Sequence, residues 1–518
     1  MNIQLRDILE VLEDVTHAGD ESTPVSGLTH DSRQVRPGFL FVAVPGETSD
    51  GHDYIPQAIE AGATAVLAQQ LPLVQPSKVP WLTVRDTRAV LGKVASVVYG
   101  RPTSRMTLVG ITGTNGKTTL TFLLEAILKA ADARPGVIGT ISYRWAGRDY
   151  SASHTTPEAS DLQRMFAEMA FGGVTHGLLE VSSHGLHRGR LEGCDFDIGV
   201  FTNLTQDHLD YHGTLEEYYQ AKNILFTKLL PLCQSKRPVA IVNLDDRYGR
   251  RLAQEISGMP VIGYGTGSAC DVRPATVSMD ADGISGTVTT PSGIFSIRSR
   301  LTGSFNLLNI LAAVAVAQRL SVPEKAVFDG IDSVHLVPGR LERVHSSNAT
   351  IFVDYAHTPN ALKNVLEALH SIRSGRLITI MGCGGDRDKT KRPLMGVEAA
   401  RGSNFVVITS DNPRSENPLD ILLQIEKGVM EEGFSRITEE INGAPLKSDS
   451  YVIIPDRRQA ISWMIKRLRE DDILLVAGKG HETYQEIGCV RYPFDDREVV
   501  REELAKLKKS SGTLREVI

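Results

Sequence analysis

The sequence predicts three consecutive α/β domains, and three observations carry that prediction. At 518 residues the chain suits three domains of roughly 100–200 residues better than one. Short apolar runs alternate with stretches of helical spacing through its middle and last parts, the pattern of parallel strands covered by helices. Turn-forming breaks at Tyr99-Gly-Arg-Pro102 and His335-Leu-Val-Pro-Gly339 divide it. The expected domains are 1–102 (α/β), 103–338 (a parallel sheet built around a phosphate-loop-like turn) and 339–518 (Rossmann-like α/β).

In the first block, Gly38–Val44 and Leu82–Val84 read as strands and Tyr54–Ala61 as a helix. The second opens with the apolar run Met106–Ile111, then a glycine-rich turn, then a helix over Thr118–Ala131 with Phe122, Leu123, Ile127 and Ala130 at helical spacing. Gly177–Val181, Ile198–Thr202 and Val239–Asn243 are further strands, and the glycine-rich stretch near 270–300 reads as an antiparallel extension. In the third block Thr350–Asp354, Leu377–Met381, Phe405–Thr409 and Ile473–Ala477 are the strands. From Lys506 onward the chain reads as a fraying polar tail.

Hydrophobic residues at 41% and charged residues at 23% are ordinary for a soluble globular protein. A net charge of −6 argues against a general nucleic-acid binder, though a local pocket can oppose the global sign. The five cysteines (Cys194, Cys233, Cys270, Cys383, Cys489) show no C-x-x-C pair, so a reducing cytoplasm is expected. The start Met1-Asn-Ile-Gln-Leu-Arg-Asp7 has no apolar core of a signal peptide. No run approaches about 18 apolar residues, so no membrane span is expected.

The sharpest local signal is Gly110-Ile-Thr-Gly-Thr-Asn-Gly-Lys-Thr-Thr119, with a strand running in and a helix running out. There the amides of Gly113, Thr114, Asn115, Gly116 and Thr119 are candidates to face a polyphosphate. Lys117 would reach the β/γ-phosphates, and the Thr118 hydroxyl would meet Mg²⁺. Ile111 stands where the usual loop has its first glycine, so Gly110 and Gly113 are expected to supply the flexibility. A second cluster is Glu180-Val-Ser-Ser-His-Gly-Leu186. Glu180, at a strand end where open α/β sheets bind ligands, suits a metal; a Glu ahead of Ser-Ser also suits a helix cap. The next strand brings Asn203, Asp207 and His208 to the same edge, and His208 in that company suits a metal.

These motifs resemble the muramyl (Mur) ligases and folylpolyglutamate synthetases. Over most of the chain they resemble the diaminopimelate-adding Mur ligases, whose UDP-binding, ATPase and amino-acid-binding domains parallel the three blocks. The resemblance implies that Lys117, Glu180, His208 and Lys222 are catalytic. Thr118, Glu180, His208 and a carbamylated Lys222 would hold Mg²⁺. A lysine with pKa near 10.4 is neutral in only about one copy in a few thousand at pH 7; without the resemblance Lys222 reads as an exposed helix residue. Asn309 (in Phe305–Asn309), Arg340, Asp354, His357 and Asn360 are implied ATP contacts. Asp31-Ser32-Arg33 and Glu47-Thr-Ser49 would line the UDP surface, and Thr155, Thr156, Ser182, Arg188 and Arg190 would hold the muramoyl dipeptide. His154 and Arg188 depart from the family pattern of Asn and Gln.

Asp411-Asn412-Pro413-Arg414, with Arg387, Gly478 and Glu482, is implied to bind meso-diaminopimelate, Glu482 facing an ammonium. A guanidinium can hold the far carboxylate bidentately. An Arg414 buried without that partner would cost about 3–5 kcal/mol, or roughly two to three decades against lysine. The implied reaction joins meso-diaminopimelate to UDP-N-acetylmuramoyl-L-alanyl-D-glutamate, with ATP as co-substrate, through an acyl phosphate. A cytoplasmic monomer is expected. The alternatives are a lysine-adding relative, against which Arg414 speaks, and a non-catalytic nucleotide-binding scaffold, which would need damage at Lys117, Glu180, His208 or Lys222.

Overall fold

In a computed structural model of the chain, residues 3–46, 49–70, 79–233, 236–280, 283–344, 349–438 and 446–513 are described. Glu47 and Thr48 of the expected UDP surface lie outside them. Three main sheets follow one another along the chain. The first runs Thr16–Ala18, Trp81–Thr83, Ala65–Ala68, Phe39–Val42, Gly27–Thr29 in spatial order, parallel except for its first pair. Strand alternation sends Leu40, Val42 and Leu67 against the helix Thr87–Val98, and Phe41, Val66 and Ala68 to the other face.

The middle sheet has eight strands, ordered Arg148–Ser151, Ser142–Trp145, Pro135–Ile138, His176–Glu180, Thr107–Thr112, Ile198–Phe201, Val239–Asn243, Val261–Tyr264. Its last six are mutually parallel. Thr107–Thr112 lies between strands that the chain reaches in opposite directions, the switch point where such sheets open a crevice. Register sets Glu180 beside Ile111 and Phe201 beside Thr112, so three strand ends meet at one edge. Val109, Ile111 and Val200 pack under the helices Lys117–Ala130 and Ser304–Arg319. Leu108, Leu179 and Phe201 pack with Phe166 and Phe226 on the other face. Coverage on both faces explains the nearly unbroken apolar runs. The stretch 273–299 forms the expected antiparallel unit of three strands.

The last sheet is ordered Glu342–Val344, Thr350–Asp354, Ile473–Ala477, Leu377–Met381, Phe405–Ile408, Ser450–Ile453, Ser435–Arg436, and only its first strand is antiparallel. Arg457 and Asp496, both fully buried, form a bidentate pair with two 2.8 Å contacts. Arg457 also donates to the carbonyls of Ala477 (2.8 Å) and Ser410 (3.4 Å). The pair thereby ties together the strand ends ahead of Gly478 and Asp411.

Two expectations are corrected. The chain does not fray from Lys506: a helix spans Asp496–Thr513, held by buried Val499 and Val500 and an i,i+3 pair of Lys506 with Glu503. Gly110 does not loosen the loop: it is a strand residue, and a Cβ there would lie 2.6 Å from the Phe196 ring. The positive φ angles fall on Gly113 (145°) and Gly116 (90°). The sequence reading also passed over the hairpin Tyr484–Ile487/Val490–Pro493, whose short mixed strands lack a clear alternation.

Removing one partner of a buried pair strands the other charge. Asp496→Ala is therefore expected to destabilise the C-terminal unit by about 3–5 kcal/mol, measured as a shift of its unfolding transition in urea. An unchanged transition contradicts the role given to the pair.

Candidate functional site

The strand Thr107–Thr112 delivers the chain into a loop that turns at Gly113 and Gly116 before the helix begins at Lys117. That helix has no side-chain cap at Gly116, so its first amides face outward as an anion site. The Lys117 ammonium curls back to the carbonyls of Gly113 (2.8 Å) and Thr114 (3.0 Å). Burial lowers its pKa, partly opposed by the charge of Glu180. Asn203 Oδ1 accepts from Asn115 N–H at 2.9 Å, and Gly116 lies under Asn309, whose Oδ1 would be 2.5 Å from a Cβ there.

Glu180 is buried and does not cap the next helix; Ser182 does, accepting from Gly185 N–H. The Glu180 carboxylate instead accepts from the Thr118 hydroxyl (3.0 Å), the Thr140 hydroxyl (2.8 Å) and the Thr140 amide (3.1 Å). Thr118 and Glu180 thus present oxygen donors side by side beneath the phosphate loop.

Lys222, in the helix Leu215–Ile224, is only 1% exposed. Its Nζ donates to the carbonyl of Gly113 at 2.9 Å, the atom that also accepts from Lys117, and lies 4.5 Å from the centre of the Tyr218 ring. Burial, and next the charge of Lys117, push its pKa well below the ordinary lysine value. The reading of Lys222 as an exposed helix lysine is thereby corrected. His208 stands at φ 55° beside Asp207, and burial pushes its pKa down to about 3, which leaves an uncharged imidazole.

These groups line one cavity of about 400 Å³. Of the expected ATP contacts, residues 114–119, Asn309, Arg340, Asp354 and His357 all border it, as do Asn360, Thr155, Ser182, Glu180, His208 and Lys222. Asp354 is buried, which raises its pKa, and accepts from the amides of Leu341 and Ala356. Arg340 lies over the Tyr355 ring. The cavity is shared between the middle and last units. Asp207 faces His357 (3.8 Å) and Lys391 (3.6 Å) from the last sheet, and Gln206 donates to Thr390. Burial alone would raise the Asp207 pKa, but His208, His357 and Lys391 hold it well below the usual carboxylate range.

The expected dipeptide contacts separate. Thr155 accompanies Thr140 at 3.1 Å, whereas Thr156 is buried, donating to the Glu180 carbonyl and accepting from Ser182 N–H. Arg190 is nine-tenths buried, paired with Glu158 at 2.5 Å and bonded to the Thr156 carbonyl. Arg188 donates to the Tyr211 hydroxyl, and His154 lies at the surface beside Ser153. Ser32 lies apart from the cavity, bonded to Gln57. Next to it Arg33 holds the Asp31 carboxyl down to about 2.

In the last unit Arg414 occupies a left-handed conformation (φ 49°). It donates to the carbonyl of Gly385 at 2.7 Å and lies 3.4 Å from Glu486. The carboxylate of Glu486 means that Arg414 is not left unpaired without a ligand, so the 3–5 kcal/mol penalty expected from the sequence is too large. Arg387 is exposed; its stem and the tip of Arg414 flank Gly384. Gly478 is needed for close approach, since a Cβ would lie 2.6 Å from Asp411 Oδ2. Asn412 bridges Lys479 (2.9 Å) and Glu482 (2.8 Å), which pair with each other, and Pro413 sets the bend against Gly385. Sequence reasoning missed Thr140, Lys391, Lys479 and Glu486. Thr140 had a signal, as it closely follows a strand beside that of Glu180; Glu486, inside an unrecognised hairpin, had none.

Three family descriptions match the chain: Mur ligase family, catalytic domain over 24–99, Mur ligase middle domain over 111–317, and Mur ligase, glutamate ligase domain over 339–480. The UDP-N-acetylmuramoyl-L-alanyl-D-glutamate--2,6-diaminopimelate ligase of Geobacter metallireducens is 45% identical over 504 residues, 96% of this chain and 98% of its own. That of Geobacillus thermodenitrificans is 43% identical over 479 residues, 92% and 94%. A solved ligase of the same name aligns at 33% identity and TM-score 0.68, covering 98% of this chain and all of its own. The MurF ligase of Thermotoga maritima in complex with ADP, at 20% identity and TM-score 0.63 over 94% and 99% of the chains, is alike in fold.

Besides His208, burial lowers the pKa of His184 and His212 to about 4. A folded pKa below the unfolded value of about 6.5 means that the unfolded chain binds more protons between those two values. Stability from these groups is complete above pH 6.5 or so and falls as pH drops toward 4. His212, with Nε2 2.9 Å from Ser183 Oγ, is the best buried of the three. Replacing it with Asn is expected to flatten the loss of stability between pH 7 and 5 by about 1–2 kcal/mol, read from urea midpoints at each pH. An unaltered slope contradicts this assignment.

Proposed function

The chain belongs to the Mur ligase family, and on that premise we propose that it joins meso-diaminopimelate to UDP-N-acetylmuramoyl-L-alanyl-D-glutamate, converting ATP to ADP and phosphate in peptidoglycan precursor synthesis. One observation carries the proposal: the loop 382–391 reaches both halves of the chemistry. At Lys391 it meets Asp207 at the edge of the phosphate cavity, and at Gly384 and Gly385 it packs against Arg414. The phosphate cavity and the Arg414 guanidinium are thus linked through one segment of the chain.

In this reading the phosphate-loop amides and Lys117 grip the ATP phosphates, and Lys117 leaves the Gly113 and Thr114 carbonyls to do so. The D-glutamate carboxylate attacks the γ-phosphorus, the bond to the ADP oxygen breaks, and an acyl phosphate forms. The neutral amine of diaminopimelate then attacks the acyl carbon; phosphate leaves, and the amine sheds a proton as the amide forms. No protein nucleophile is needed, since positioning and fixed charge supply most of the acceleration.

Among the described residues no three His, Cys, Asp or Glu side chains gather as a metal cluster. The Thr118–Glu180 pair nevertheless suits Mg²⁺, which takes one or two protein oxygens and completes its shell with phosphates and water. When bound, Mg²⁺ would neutralise phosphate charge there. We assign a second group of donors to His208 and Lys222. Lys222 is held toward its neutral form, and a neutral amine that adds carbon dioxide forms an N–C bond and releases one proton to solvent to give a carbamate anion. No helix among the described residues is long and apolar enough to cross a membrane, and a monomer working in the cytoplasm is proposed.

ADP release is expected with meso-diaminopimelate and not with lysine; the reverse preference overturns the substrate assignment. Arg414→Lys is expected to lower kcat/KM for meso-diaminopimelate about tenfold to a hundredfold, because a point charge replaces a fork that can bind bidentately. Intact-mass measurement of protein kept in bicarbonate is expected to show one added carbon dioxide, absent in Lys222→Ala, whose ADP release is lost. Full activity in Lys222→Ala contradicts the carbamate.

A further inference from the structure

The hairpin Tyr484–Ile487/Val490–Pro493 lies against the Asp411–Arg414 loop, pinned to it mainly by backbone. Arg414 N–H donates to the Glu486 carbonyl (3.1 Å), Gly488 N–H to the Arg414 carbonyl (2.8 Å), and Glu486 N–H to Asn412 Oδ1 (3.0 Å). The Gln485 side chain donates to the Asp411 carbonyl (2.7 Å). Nothing in this attachment requires the Glu486 carboxylate, which is 22% exposed beside an Arg414 side chain that is 19% exposed.

That carboxylate stands 3.4 Å from Arg414 Nε and 4.0 Å from Arg491 Nε. Both separations exceed the roughly 2.7–2.9 Å of a charge-assisted hydrogen bond. By contrast Glu482, which the sequence reading turned toward a substrate ammonium, already accepts from Lys479 and Asn412 through Oε2 at 2.8 Å each. The half-buried acid with the looser partners is therefore Glu486, and it lies directly beside the guanidinium.

We propose that Glu486 is a further specificity-determining residue, receiving the ammonium at the far end of diaminopimelate while Arg414 receives the carboxylate on the same carbon. The inference rests on the reading of this site as a diaminopimelate pocket. Its physical basis is charge complementarity: the far end of diaminopimelate is a zwitterion, and the adjacent guanidinium and carboxylate form a matching pair. Entry of the ligand exchanges one loose ion pair for two contacts of opposite sign. A ligand with only the far carboxylate, such as 2-aminopimelate, leaves Glu486 unmatched, and one with only the far ammonium, lysine, leaves Arg414 unmatched.

The test uses the full chain with UDP-muramoyl dipeptide and ATP, comparing meso-diaminopimelate, 2-aminopimelate and lysine as acceptors in wild type and Glu486→Gln. The variant keeps the size of the side chain and every backbone attachment. The expected result is a KM for meso-diaminopimelate raised about tenfold, equivalent to about 1.4 kcal/mol, with kcat nearly unchanged and the KM for 2-aminopimelate unchanged or lower. Equal rises for both acceptors mean that Glu486 only shapes the pocket and overturn the inference, as does an unchanged KM for meso-diaminopimelate. Wild-type enzyme that uses lysine and ignores meso-diaminopimelate sinks the substrate reading itself, and the inference with it.

Discussion

Two lysine Nζ groups share one carbonyl oxygen, that of Gly113, and the rest of the site is arranged around this constraint. Like charges held so close in a buried setting cannot both be retained cheaply, because the low local dielectric magnifies their repulsion. Lys117 has the Glu180 charge to offset its burial, whereas at Lys222 the Lys117 charge adds to the burial, opposed only in part by Asp207 and the face of the Tyr218 ring. The balance falls on Lys222, whose charge this arrangement depresses. A turn that brings one carbonyl between two helices thus couples the charge of the two lysines.

The second organising feature is the crossing between sheets. Asp207 stands at the end of the middle sheet, yet two of the three basic side chains beside it, His357 and Lys391, come from the last unit. Buried charge gathered in this way makes the position of the last unit part of the electrostatics of the phosphate cavity. Beyond it, the Arg457–Asp496 pair holds together the strand ends that lead to Asp411 and Gly478.

Much of this was legible in the residue order, for a physical reason. Parallel strands covered on both faces must be continuous apolar runs, so Thr107–Thr112, Ile198–Phe201 and Val239–Asn243 stood out. The hairpin Tyr484–Pro493 has no such burden, since one strand is exposed and the other only half-buried, and it was missed. The helix through Thr513 was missed for a related reason: little of its surface is apolar, and its inward anchors, Val499 and Val500, are few.

By itself the sequence determined the three-part α/β plan, the glycine-rich loop between strand and helix, and a list of candidate side chains for nucleotide, metal and amino-acid contacts. Those follow from local periodicity and short-range chemistry. Only the tertiary structure decided which of them meet. It turned Thr156 and Arg190 inward as supports, buried Lys222 against Gly113, gave Glu180 to Thr118 and Thr140, and set Glu486 against Arg414. Each of these depends on burial and on contacts between residues far apart in the chain, which set charge state and partner choice and leave no trace in spacing.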